Sequence, residues 1–171
     1  GHGRGAGQLV TSPPAAAPPS VFRYDPSDPV PTLGGCHSVH FWHPTAPVGS
    51  FDHGANETRP DVLAFTGEPL TRDTEVTGPL RAILHAATDG ADTDWTVMLL
   101  DVEADGTPYN VSEGIVRARF RDDLYGPAKA LSPGQAYEYE IELAPTSHVF
   151  AAGHRICVHV SSSNFPLWDR N

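Results

Sequence analysis

Positive charge is scarce in this chain. Lys129 is the sole lysine, and 11 Lys and Arg stand against 21 Asp and Glu in 171 residues, a formal net charge of −10 at pH 7. A polypeptide so poor in cations has no electrostatic means of holding the nucleic-acid backbone or an anionic membrane surface, so no nucleic acid and no membrane partner is expected. Long apolar runs are missing too. Nothing approaches the roughly 18 consecutive apolar residues of a membrane span, and the first residues lack the basic-then-apolar order of a secretory leader. Cysteine is nearly absent. Cys36 and Cys157 form a bridge only if the fold brings their Cα atoms within about 7 Å, which spacing does not decide; both are read as ordinary small residues.

The signatures of a self-contained catalyst are lacking as well. There is no Gly-x-Ser-x-Gly elbow to present a serine nucleophile, and no alternation of strand and helix on which one would sit. Gly1-His2-Gly3-Arg4-Gly5 neither follows a strand nor opens a helix, so it is not a phosphate-cradling loop. Ser161, His159 and Asp169 hold the residue types of a triad but lie in an ordinary strand-and-turn stretch, where such groups serve as hydrogen bonders. Cys36, His37, His40, His43 and His53 offer thiolate and imidazole ligands for zinc, yet Gly34, Gly35, Pro44 and Pro47 make that stretch irregular, and Phe41-Trp42 between the histidines suits packing. Asp89, Asp92, Asp94 and Asp101 do not follow the spacing of a calcium loop. No catalytic residue, metal or other cofactor is therefore expected within the chain.

What is present is turn chemistry and alternation. With 16 Gly and 17 Pro spread along the sequence, many short strands are favoured over long helices. Residues 1–20, Gly-rich and then Pro/Ala-rich, read as a linker. Residues 21–61 read as an irregular arm with one or two short edge strands. Beyond it Leu80, Ala82, Leu84 and Ala86 share one face of a strand, and Trp95, Val97 and Leu99 share one face of the next, with Met98 and Leu100 buried on its other side. Val116, Ala118 and Phe120 alternate with Arg117, Arg119 and Arg121; Tyr137, Tyr139, Ile141 and Leu143 alternate with Glu138, Glu140 and Glu142. If these two strands are neighbours, opposite charges meet across the ladder; otherwise they are two separate solvated faces. Ile156, Val158 and Val160 point inward from a last strand. Six or more strands joined by short turns predict an all-β, mostly antiparallel β-sandwich, and among sandwiches a jelly roll.

Two segments carry more specific information: Tyr24-Asp25-Pro26-Ser27-Asp28-Pro29-Val30-Pro31-Thr32 near the start, and Ser161-Ser162-Ser163-Asn164-Phe165-Pro166-Leu167-Trp168-Asp169 near the end. Between them, in order, come Gly34-Gly35, Arg59-Pro60-Asp61-Val62-Leu63, Glu75-Val76-Thr77-Gly78-Pro79, Asp92-Thr93-Asp94-Trp95, Glu113-Gly114-Ile115-Val116-Arg117 and Gly153-His154-Arg155-Ile156. This ordered series resembles the C-terminal domain of the cocaine esterase and X-Pro dipeptidyl-peptidase (CocE/NonD) group of serine hydrolases, over nearly everything from Tyr24 to Asn171.

The resemblance implies a galactose-binding-like jelly roll over residues 21–171 that lacks its last strand, joined through residues 1–20 to an upstream α/β-hydrolase domain of the same polypeptide. That domain would supply the Ser-His-Asp triad. It also implies a small-molecule ester or amide substrate, or a peptide one of Xaa-Pro type, and it leaves room for a homo-oligomer. In the group a jelly-roll loop leans toward the hydrolase pocket. Here Val39, His40, Phe41 and Trp42 occupy that loop and are the candidate pocket-lining residues; an interdomain packing role without substrate contact is the other reading. The competing function is a free-standing carbohydrate-binding module, with Trp42 or Trp168 stacking on sugar.

Overall fold

Two-residue alternation governs the architecture. The computed structural model of the chain describes residues 7–12, 14, 15, 17–37, 41–44 and 46–171. Among these residues the strands are β1 (Gly7–Gln8), β2 (Leu63–Thr66), β3 (Thr74–Ala86), β4 (Asp94–Val102), β5 (Pro108–Arg117), β6 (Tyr137–Phe150) and β7 (Arg155–Ser161), with one helical turn, α1 (Gly54–Glu57). One sheet has the order β1-β2-β7-β4-β5, antiparallel except for the parallel β1/β2 contact. The second is the long antiparallel pair β3-β6.

The core lies between the two sheets. Trp95 and Val97 of β4, Leu63 of β2 and Val160 of β7 meet Tyr139, Ile141 and Leu143 of β6, with Leu80, Ala82, Leu84 and Ala86 of β3 packed at its margin. These are the alternating faces expected from the sequence. The outer face of the larger sheet is buried as well: Ala64, Leu100, Val102 and Cys157 form a second apolar cluster with Met98 against it. Facing sheets with interdigitated apolar stripes make this a jelly-roll β-sandwich.

The backbone of β6 passes close to Gly114 of β5. A methyl group there would overlap the carbonyl oxygen of Glu142, part of the β6 backbone. Backbone cannot yield as a flexible side chain can, so Gly114→Ala is expected to destabilise the fold by roughly 1–3 kcal/mol, measurable as a lowered urea midpoint with an unchanged slope.

Two expectations require correction, and one alternative left open by the sequence is decided. The Arg-bearing strand does not reach Asp122: β5 ends at Arg117, and Ala118–Phe120 form a 3-10 turn in which the Ala118 N–H bonds to Thr93 O. The Arg and Glu strands are not ladder partners either. β6 pairs with β3, where Arg81 meets Glu140 at 3.0 Å, while Arg117 and Arg119 turn to Asp94 and Asp92. Finally, among its described residues the arm holds isolated bridges at Pro31, Gly35, Gly49 and Asp52 instead of edge strands. Proline at 26, 29, 31, 44 and 47 removes donors that a ladder would need.

Candidate functional site

The two segments with the most specific sequence signal are bonded to each other. Beyond β7 the chain leaves the sheet through Ser161-Ser162-Ser163-Asn164, all buried. A buried hydroxyl or amide must find a partner or incur a desolvation cost of a few kcal/mol, and here each is placed. Ser161 Oγ lies 2.6 Å from Thr96 Oγ1 and donates to Ser163 O at 3.1 Å, and Ser163 Oγ accepts from the Val30 N–H at 2.9 Å. The Phe165 N–H donates to Val30 O, the Thr32 N–H donates to Phe165 O, and the Leu167 N–H donates to Thr32 Oγ1. The Phe165-Pro166 peptide is cis. Arg59 completes the anchoring: its Nε and Nη2 donate to the two oxygens of buried Asp61 at 2.8 and 2.9 Å, and it also bonds to Asp28.

Above this anchor the arm turns back at Gly34 and Gly35, both with positive φ (71° and 100°), a region glycine enters without steric cost. Gly35 also has no side chain because Glu113 Oε1 of β5 occupies that space. The result is a cleft of about 390 Å³ walled by Gly35, Cys36, His37, Glu113, Leu167 and Trp168. Glu113 lies at its back. Asn164 Nδ2 donates to Glu113 Oε2 at 2.8 Å, which favours the carboxylate, but burial dominates and pushes the carboxyl up to about 7. His37 Nε2 donates to Gly34 O at 3.0 Å, leaving Nδ1 buried with no partner among the described residues.

The proposed pocket-lining loop sits beside this cleft in sequence. Val39 and His40 lie outside the described residues. Phe41 and Trp42 are 73% and 74% exposed and touch edge to face, with ring centroids 6.3 Å apart. Trp95 is buried in the core and Trp168 is half-buried beside the cleft.

The other sequence candidates are held in structural roles. Ser161 is tied to Thr96 and Ser163, His159 Nε2 donates to Glu57 Oε1 at 3.0 Å, and Asp169 pairs with Arg117, so these three do not assemble a triad. Cys36 is exposed, Cys157 is buried, and both are free thiols. Buried His53 donates from Nε2 to Leu33 O, and burial holds its imidazole below the usual histidine range. Asp92 and Asp94 pair with arginines; Asp101 accepts from His148 Nε2 and His154 Nδ1, each at 2.9 Å. Sequence reasoning passed over Glu57 and Glu113 as candidates. Both look like ordinary surface acids until the fold brings residues 102 and 51 positions away against them.

Comparison with known proteins agrees with this arrangement. The family model for the X-Pro dipeptidyl-peptidase C-terminal non-catalytic domain matches residues 2–171. Cocaine esterase of Rhodococcus sp. (strain MB1 Bresler) is 42% identical over 98% of this chain and 28% of its own length. Among solved structures, an aminopeptidase from the marine sediment archaeon Thaumarchaeota archaeon superposes with a TM-score of 0.83 at 36% identity, over 96% of this chain and 29% of that one. An alpha-amino acid ester hydrolase superposes with a TM-score of 0.82 at 33% identity, over 98% and 29% respectively. The chain thus spans less than a third of the length of these relatives, and it belongs to the family of X-Pro dipeptidyl-peptidase C-terminal non-catalytic domains.

Proposed function

We propose that this chain is the non-catalytic jelly roll of a serine hydrolase that cleaves ester or amide bonds. It packs against an α/β-hydrolase domain of the same polypeptide and helps to enclose the pocket there. The observation that carries this reading is a division of labour within the chain. Its buried Ser161, His159 and Asp94 are committed to internal partners, while two large aromatic side chains stand in solvent on one loop. Large aromatic side chains exposed on a surface loop favour contact with another surface or an apolar ligand. Val39, His40, Phe41 and Trp42 are the residues assigned to the pocket wall, with the serine nucleophile located elsewhere.

The test compares this chain alone with a polypeptide that includes the sequence upstream of it. The chain alone is expected to leave p-nitrophenyl esters intact; the longer protein hydrolyses them and is inactivated by a serine-directed phosphonate. In the longer protein Trp42→Ala is expected to raise KM with little change in stability. Turnover by this chain alone, abolished by replacing one of its own serines, would overturn the reading. A carbohydrate-binding module is the second reading, favoured by the exposure of Trp42. Calorimetry against a glycan panel separates the two: saturable binding lost in Trp42→Ala would establish the module.

A further inference from the structure

On the outer face of the larger sheet, away from the core shared with β3 and β6, three side chains of different chemistry converge. Cys157 and His159 are two residues apart on β7, so both point to that face. The turn α1 lies over it and sends in Glu57. Glu57 Oε1 is 3.0 Å from His159 Nε2 and 3.9 Å from Cys157 Sγ, and the three ligand atoms all lie within 4.8 Å of one another. From these positions we infer that Glu57, Cys157 and His159 form a binding site for a borderline-soft divalent cation of the zinc type. This inference is independent of the hydrolase reading above.

The donor set selects the metal class. A thiolate, an imidazole and a carboxylate together suit zinc and disfavour magnesium or calcium, which take oxygen ligands. Zinc bonds of about 2.0–2.3 Å in a tetrahedral arrangement separate neighbouring ligand atoms by roughly 3.3–3.6 Å. The Glu57–His159 pair must therefore open slightly from 3.0 Å, and Cys157 Sγ must close on Glu57 by a few tenths of an ångström from 3.9 Å. Three protein ligands leave a fourth position for water. Glu57 supplies the way in, its side chain being 30% exposed while that of His159 is 6% exposed.

The surroundings support an ion more than a plain hydrogen-bond cluster. Thr66 Oγ1 donates to Cys157 Sγ at 3.3 Å, a bond that favours the thiolate form. Ala64, Leu100 and Val102 make the adjoining wall apolar, and a dry wall strengthens attraction between an ion and its ligands. Without metal, burial pushes the Cys157 thiol up to about 11, so the sulfur keeps its proton at neutral pH. Binding exchanges that S–H proton for the metal–sulfur bond and releases one proton to solvent.

The test uses Co2+ as a spectroscopic stand-in for zinc, in the Cys36→Ser background to remove the exposed thiol. One Co2+ per folded chain is expected, with a near-ultraviolet thiolate-to-cobalt charge-transfer band and visible bands of tetrahedral cobalt, all displaced by Zn2+. Cys157→Ser removes the charge-transfer band. Glu57→Gln and His159→Gln are expected to weaken binding by about tenfold or more. Glu57→Gln, at a half-exposed position, keeps the test decisive if Cys157→Ser fails to fold. Folded protein that takes up no stoichiometric Co2+, bands that persist in Cys157→Ser, or affinity unchanged in Glu57→Gln would each overturn the site.

Discussion

Arg117→Met is expected to destabilise this domain by about 3–5 kcal/mol at neutral pH, the range for removing one partner of a buried ion pair. Asp94 opens β4, its side chain only 1% exposed, directly across the ladder from Arg117 at the end of β5. Arg117 Nε and Nη2 donate to the two oxygens of Asp94, each at 2.9 Å, and Nη2 also reaches Asp169 Oδ1 at 2.7 Å. The Asp94 bonds hold the guanidinium proton more tightly than usual. Methionine fills much of the same volume but leaves the Asp94 carboxylate buried without a counter-charge.

Asp94→Asn combined with Arg117→Met removes the charge and is expected to recover much of the loss. Asp169→Ala, by contrast, touches the same guanidinium from a side chain 78% exposed, where ion pairs contribute about 0–1 kcal/mol. Urea midpoints of the parent protein and the three variants at pH 7 decide the matter. A deficit below about 1 kcal/mol for Arg117→Met at pH 7 would show that water reaches Asp94 and that the pair is not a structural anchor.

The same ion pair shows how far sequence reasoning carries. Alternation of period two identifies which side chains share a face, and for β3, β4, β6 and β7 the apolar faces expected from sequence are the ones that meet in the core. Alternation does not say which strand lies alongside. The three arginines from 117 to 121 and the three glutamates of β6 looked complementary, yet Arg117 and Arg119 have nearer acids at Asp94 and Asp92, where β5 gives way to a turn, and Arg121 donates to the carbonyl oxygens of Ala118 and Lys129. The two-residue alternation of Val116, Ala118 and Phe120 lapses once the 3-10 turn begins, because three residues per turn set side chains i and i+2 about 120° apart instead of on one face. The outer face of β7 was legible in principle. Cys157, His159 and Ser161 interleave with Ile156, Val158 and Val160, and a stretch with no Asp, Glu, Lys or Arg from 156 to 161 implies cover on both sides. What could not be read was the cover itself, α1, a four-residue turn with no helical periodicity and no capping side chain.

Glu113 carries the remaining large effect, and here a glutamate is expected to weaken the fold. Burial lifts its carboxyl from 4.5 to about 7, the single bond from Asn164 offsetting only part of the cost. The unfolded chain ionises this group near the ordinary value, whereas the folded one resists ionisation. Stability is therefore full below about pH 4.5, falls as pH rises toward 7, and is flat above. At about 1.4 kcal/mol per pH unit, and allowing for the solvent that reaches the carboxyl from the cleft, the loss is about 2–3 kcal/mol. Glu113→Gln keeps an oxygen for Asn164 Nδ2 and removes the charge. It should match the parent protein at pH 4.5 and exceed it by about 2–3 kcal/mol at pH 8, the two urea-midpoint curves diverging between. Parallel curves across that window would mean that the carboxyl is solvated and ionised in the folded state. A divergence would instead mean that near pH 7 the back wall of the cleft presents a carboxylic acid that can donate a proton in a hydrogen bond, so that a basic or carbonyl-bearing surface seated there would be recognised by its acceptors.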